Sequence, residues 1–129
     1  MDTSKRDANG QLKHGLVKEY FKDGALSAMG EYVHGDKTGK WEYYFADGRL
    51  KAIGNYKNDL LTGEWKWYRE NGNVMQTGSF ENGDRKGIWE RYHIEGPIFD
   101  SGAYEGEKKI GEWKTFDKTG NLIKTKNYR

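Results

Sequence analysis

A 24-residue period runs through this chain and constrains its fold more than any other feature. Five copies follow one another without a gap, opened by Gly15, Gly39, Gly63, Gly87 and Gly111. The third position is Val17, Trp41, Trp65, Trp89 and Trp113, and the sixth is Tyr20, Tyr44, Tyr68, Tyr92 and Phe116. Glycine fills the tenth position of every copy, and an aliphatic residue the twelfth (Leu26, Leu50, Val74, Ile98, Leu122). The sixteenth is Gly30, Gly54, Gly78 and Gly102, and the eighteenth is Tyr32, Tyr56, Phe80, Tyr104 and Tyr128. A fixed period of this length marks a repeat architecture in which each unit buries its apolar face only against its neighbours. One domain over residues 15–129 is expected, in units 15–38, 39–62, 63–86, 87–110 and 111–129. Residues 1–14 read as a polar segment, frayed over 1–9, with 10–15 resembling the turn of a missing preceding repeat.

Each unit reads as two short strands separated by polar glycine turns. Asp23-Gly24, Asp47-Gly48 and Asn71-Gly72 are hairpin signals, because Asp, Asn and Gly accept the positive φ of a tight turn. A two-residue turn predicts that Phe45 faces Leu50, Tyr43 faces Ala52, Trp41 faces Gly54 and Gly39 faces Tyr56, with the leucine on the tryptophan face. A three-residue loop with a glycine bulge instead puts Tyr44 opposite Leu50 and exposes Trp41. In the first register each indole shields a residue without a side chain, which makes Trp41, Trp65, Trp89, Trp113, Gly54, Gly78 and Gly102 structural. A second polar turn, such as His34-Gly35 or Asn82-Gly83, lets successive hairpins pair again. The expected fold is all-β: tandem hairpins in one elongated, twisted antiparallel sheet. Its last copy is a cap, with Lys126 in place of glycine and Lys124 and Arg129 blunting the edge.

Composition narrows the chemistry. Cysteine is absent, so no disulfide framework or thiol chemistry is available. His14, His34 and His93 sit at unrelated repeat positions, no serine has a nucleophile context, and no glycine leads into a helix. The acidic residues occupy turns and strand surfaces. No metal, cofactor or catalytic centre is expected. Formal net charge is only +2, and no basic stripe is visible in the sequence, so neither nucleic acid nor a membrane surface is an expected partner. A cytoplasmic location is expected, since no leader segment is recognisable.

The hallmark of the repeat, Gly39, Trp41, Tyr44, Asp47, Gly48 and Leu50, resembles the bacterial variant of the membrane occupation and recognition nexus (MORN) repeat, as found in the YwqK-like antitoxin family. The resemblance spans residues 15–128 and implies tandem hairpins. It also implies a non-enzymatic antitoxin or immunity protein that binds and occludes a toxin, or an interaction scaffold. Val17, Glu95-Gly96-Pro97 and Lys126 depart from the pattern.

The aromatic columns are the candidates for partner binding. Tyr20, Tyr44, Tyr68, Tyr92 and Phe116 form an evenly spaced row flanked by Lys18, Glu42, Lys66, Glu90 and Lys114. Rigid rings between charges offer a protein partner large contact area at little entropic cost. Tyr43 and Trp67 add rings at the fifth position of the second and third copies, a further candidate anchor for a partner or for self-association. The alternative function is a structural scaffold, a self-assembling homo-oligomer or a lipid-associated module.

Overall fold

The computed structural model describes residues 5–129. Ten strands run in chain order: β1 (Gly15–Tyr20), β2 (Leu26–Val33), β3 (Asp36–Tyr44), β4 (Leu50–Lys57), β5 (Leu60–Tyr68), β6 (Val74–Glu81), β7 (Asp84–Tyr92), β8 (Ile98–Glu105), β9 (Lys108–Phe116) and β10 (Leu122–Tyr128). They form a single antiparallel sheet in which every strand pairs only with its sequence neighbours. The all-β hairpin array expected from the period is thus the fold.

The turns differ from expectation. In the first turn of each unit Phe45 N–H donates to Arg49 O at 2.8 Å and Gly48 N–H to Phe45 O at 2.9 Å, so Phe45 faces Arg49, not Leu50. This is the three-residue loop, with Gly48 at φ 93°. Tyr44 consequently opposes Leu50, yet Trp41 still opposes Gly54, because the register shifts once more between Tyr43 and Tyr44, where Lys51 has no partner. Two irregularities cancel. Each expected register therefore holds in one half of the hairpin, and the twelfth-position aliphatics move to the tyrosine face. The two-residue turn with both central residues at positive φ occurs instead between units, at His34-Gly35, Asn58-Asp59 and Asn82-Gly83.

The fourth unit explains its own departure. In the other turns the Asp or Asn carboxamide or carboxylate accepts the N–H two residues on, as Asp47 does from Arg49 at 2.9 Å. Pro97 has no N–H to donate and Glu95 replaces the short acceptor, while the backbone bond from His93 N–H to Pro97 O keeps the turn at 2.8 Å.

Between units a second bulge falls at Gly39, where the pairing jumps from Gly30↔Trp41 to Glu31↔Thr38. It allows the indole to lie flat on the glycine of the preceding unit. A Cβ built on Gly54 would stand 1.9 Å from Trp65 Cδ2, and the same overlap recurs at Gly30 with Trp41, Gly78 with Trp89 and Gly102 with Trp113. The indole N–H then donates to the next carbonyl of that unit: Trp41 to Glu31 O at 3.1 Å, Trp65 to Asn55 O at 3.0 Å, Trp89 to Ser79 O and Trp113 to Ala103 O both at 3.1 Å. The shielded glycine is thus the one before the indole in sequence rather than the one in its own hairpin. Five units make four such pairs, and Val17 and Lys126 stand at the two positions where no pair forms.

Residues 5–9 are docked rather than frayed, and 10–13 continue the same loop. Asp7 N–H donates to Gln11 O and Gly10 N–H to Asp7 O, the same loop as inside the units. Lys5 Nζ reaches Asp36 at 2.8 Å and Asp59 at 2.6 Å, fastening this segment to the first two inter-unit turns. Residues 1–4 lie outside the described residues.

Replacing Gly54 by Ala is expected to destabilise the fold by about 3 kcal/mol, because the added methyl must displace a packed indole and its neighbours. Lys126→Gly, at the same repeat position without an indole, is expected to change stability by about 0.5 kcal/mol or less. Urea unfolding of the two variants measures this; similar losses for both would show that the glycine column does not serve the indoles.

Candidate functional site

The sheet presents two unlike faces. On the tryptophan face the indoles are buried, Trp41 completely, although no second layer covers them. They are covered by each other and by the eighteenth-position rings. Tyr32, Trp41, Tyr56, Trp65, Phe80, Trp89, Tyr104, Trp113 and Tyr128 follow one another edge to face, with centroids 5.1–6.4 Å apart and interplanar angles of 79–89°. This geometry sets positive ring edges on negative ring faces and adds about 1 kcal/mol per pair beyond area burial.

Tyr43 and Trp67 belong to this ladder. Tyr43 lies 6.1 Å from Trp41 and 6.3 Å from Trp65, and Trp67 stacks on Trp65 at 5.8 Å and lies tilted against Trp89 at 5.6 Å. Ala28 and Ala52 flank Tyr43 across the strands and leave room for its ring. The Tyr43 hydroxyl bonds to the Tyr56 hydroxyl at 2.7 Å, and burial together with that bond pushes the Tyr43 phenol well above its ordinary range. In the fourth unit the fifth-position ring gives way to Arg91, which makes a two-pronged pair with the buried carboxylate of Asp100 at 3.0 and 2.5 Å.

The tyrosine face carries the row expected from the sequence. Tyr20 is 60% exposed, while Tyr44, Tyr68, Tyr92 and Phe116 are half-buried. Opposite them across each hairpin stand Leu26, Leu50, Val74, Ile98 and Leu122. The displaced aliphatics thus double the tyrosine row into an apolar stripe, a feature hidden until the turn is known. Beside it runs a row in which charge alternates: Lys18, Met29, Glu42, Ile53, Lys66, Thr77, Glu90, Ser101 and Lys114 pair successively across the strands. An open groove of about 640 Å³ crosses the middle strands, with Ile53, Ile88 and Tyr92 as apolar lining and Lys40, Glu64, Lys66 and Glu90 as charged lining.

These charges position the rings. The Tyr44 hydroxyl donates to the Glu42 carboxylate, Tyr92 to Glu90 at 3.3 Å, and Lys66 Nζ sits 5.5 Å over Tyr68. The bond to Glu42 pushes Tyr44 up to about 12, and the Tyr44 hydroxyl is the first cause that holds Glu42 below the usual carboxylate range.

His14 and His34, remote in sequence, come within 5.2 Å, ring centre to ring centre, and His34 N–H points at His14 Nδ1. Sequence spacing does not reveal this contact, which the second turn creates. No group of three or more His, Cys, Asp or Glu converges among the described residues.

An extended sheet of interlocked hairpins, with broad open faces and side chains arranged by unit, defines a tandem-repeat module rather than a pocketed fold. The MORN repeat variant matches at residues 13–34, 37–58, 61–82 and 109–129, and the chain belongs to that family. These stretches coincide with the hairpins β1–β2, β3–β4, β5–β6 and β9–β10. The hairpin β7–β8 has the divergent Glu95-Gly96-Pro97 turn and lies outside the match, yet pairs like the others. Such repeats are non-catalytic modules in general. No curated protein matches the chain.

Glu42→Gln is expected to bring the Tyr44 transition down from about 12 toward the ordinary phenol value in an ultraviolet tyrosinate titration. The raised phenol stabilises the fold below its unfolded value of 10.0 and loses that contribution as pH rises through about 12. The depressed Glu42 stabilises it above 4.5 and loses that contribution as pH falls through its folded value. An unchanged alkaline titration in the variant would show that the pair does not form.

Proposed function

We propose that the protein is a non-catalytic binding module that holds another protein along the tyrosine face, and that its specific role is that of an antitoxin or immunity-type protein occluding a toxin. The observation that carries the binding reading is the apolar stripe of tyrosines and aliphatics beside the charged groove. Half-buried rings locked by neighbouring carboxylates and lysines lose little entropy on binding, and the alternating Lys18, Glu42, Lys66, Glu90 and Lys114 row gives a partner a fixed register. The antitoxin role rests on resemblance of the repeat alone.

A scaffold that grows end to end is the second reading, and both edges speak against it. Joining β10 of one copy to β1 of another would bring Val17 against Lys126, so the junction would lack the indole, the bare glycine and the indole hydrogen bond that join every internal pair of units. A lipid-associated module has less support, because no cationic amphipathic element accompanies the exposed apolar groups.

The test is affinity capture from the host with the purified chain, followed by reconstitution with the recovered partner. A Tyr44→Ala, Tyr68→Ala, Tyr92→Ala triple variant is expected to keep its circular dichroism and weaken the complex about 100-fold or more. Unchanged affinity in the folded variant would remove the partner from this face, and recovery of the bait alone, with concentration-dependent assembly, would favour the scaffold.

A further inference from the structure

The net charge of +2 conceals a sorting of charge by face. On the tyrosine face Lys18, Lys40, Lys66 and Lys114 are balanced by Glu31, Glu42, Glu64, Glu90 and Glu112. The strand positions of the tryptophan face hold Lys37, Arg85, Arg91, Lys109, Lys124 and Lys126 against Glu19 and Asp100, and Lys13, which precedes β1, lies over the Tyr32 ring of this face. The basic stripe missing from the sequence is therefore present in the structure, with no residue from the second unit, one each from the first and third, and two each from the fourth and fifth. Lys37, Arg85 and Lys109 oppose the rings of Tyr32, Phe80 and Tyr104 across the inter-unit pairing.

The excess is greatest over the last four strands. Arg85 Cζ lies 5.1 Å from the Trp89 ring and 5.0 Å from Tyr104, and Lys109 Nζ lies 4.6 Å from Trp113 and 5.5 Å from Tyr128. Two adjoining hollows of about 180 and 270 Å³ share Arg91, Lys109 and Trp113, and the second also reaches Lys124 and Lys126. Asp100 answers Arg91, whose side chain remains 54% exposed; among the described residues Lys109, Lys124 and Lys126 have no carboxylate partner.

We propose that the C-terminal half of the tryptophan face docks an extended acidic segment of a partner polypeptide, whose carboxylates meet Arg91, Lys109, Lys124 and Lys126. Charge complementarity selects the class of partner. An extended segment places alternate side chains about 6.8 Å apart on one side, so successive carboxylates can face successive cations. A single-stranded nucleic acid would need free ring faces for its bases. Here one face of Trp113 is pressed on Gly102 and Lys109 occupies the other. A bilayer would need a patch of apolar side chains to insert, and among the exposed ones Leu16, Tyr20 and Ile88 lie on the opposite face, while Ile123 stands alone at the bulge of β10. This surface goes beyond the tyrosine-face reading and stands or falls separately from it.

The experiment is fluorescence anisotropy with a labelled peptide of alternating Glu and Ser, beside a Lys/Ser peptide, a thymidine oligonucleotide and vesicles containing phosphatidylserine. The protein is compared with Lys124→Glu/Lys126→Glu and with the tyrosine triple variant, each checked for folding by circular dichroism. The acidic peptide alone is expected to bind, about tenfold more weakly in the lysine variant and in raised salt, and unchanged in the tyrosine variant. No binding of the acidic peptide, preference for the oligonucleotide or vesicles, or equal affinity in the lysine variant would overturn the proposal.

Discussion

The indole laid on the bare glycine of the preceding unit is the contact on which the rest of the structure depends. A single-layer sheet has no second layer to bury its apolar side chains, so its rings must bury one another. Glycine removes the Cβ, the bulge at the head of each unit lets the indole lie flat, and the carbonyl beside the glycine accepts the indole N–H. The contact always joins two units, never one hairpin to itself. Cooperativity along the array follows directly, since no unit completes its own core.

The same contact dictates the two faces. Once rings and cationic stems have been spent on covering the tryptophan face, the turn geometry delivers the aliphatics to the other side, beside the tyrosines. One face becomes a self-covered aromatic ladder under a cationic roof, and the other an apolar stripe with alternating charge. Binding chemistry is thereby divided between them, the tyrosine face offering contact area and the tryptophan face offering unbalanced positive charge.

The period, the strand order and the pairing of Trp41 with Gly54 were legible in the sequence because identical residues at fixed spacing admit few arrangements. The turn was not. Asp47-Gly48 is compatible with a two-residue turn and with a three-residue loop, and only backbone hydrogen bonds distinguish them; the unpaired Lys51 that restores the register leaves no mark in the residue pattern. Leu50 therefore stands on the tyrosine face, where the residue pattern alone puts it on the tryptophan face. The cationic stripe was hidden for another reason: Lys37, Arg85 and Lys109 precede the glycine that opens the next unit, and their common face depends on the bulge at that glycine. Val17 and Lys126 depart from the motif at the two positions that take no part in an indole–glycine pair.

Hydrogen exchange of the indole Nε1–H groups, resolved by NMR, tests this account most directly. Trp41, Trp65, Trp89 and Trp113 are expected to be protected together, at the level of the global unfolding equilibrium, because each N–H is bonded across a unit boundary. Trp67, whose N–H has no acceptor among the described residues, serves as the internal control and is expected to exchange fast. Rapid exchange at any of the four, or protection of Trp67 equal to theirs, would contradict an array held together by indoles seated on their neighbours' glycines.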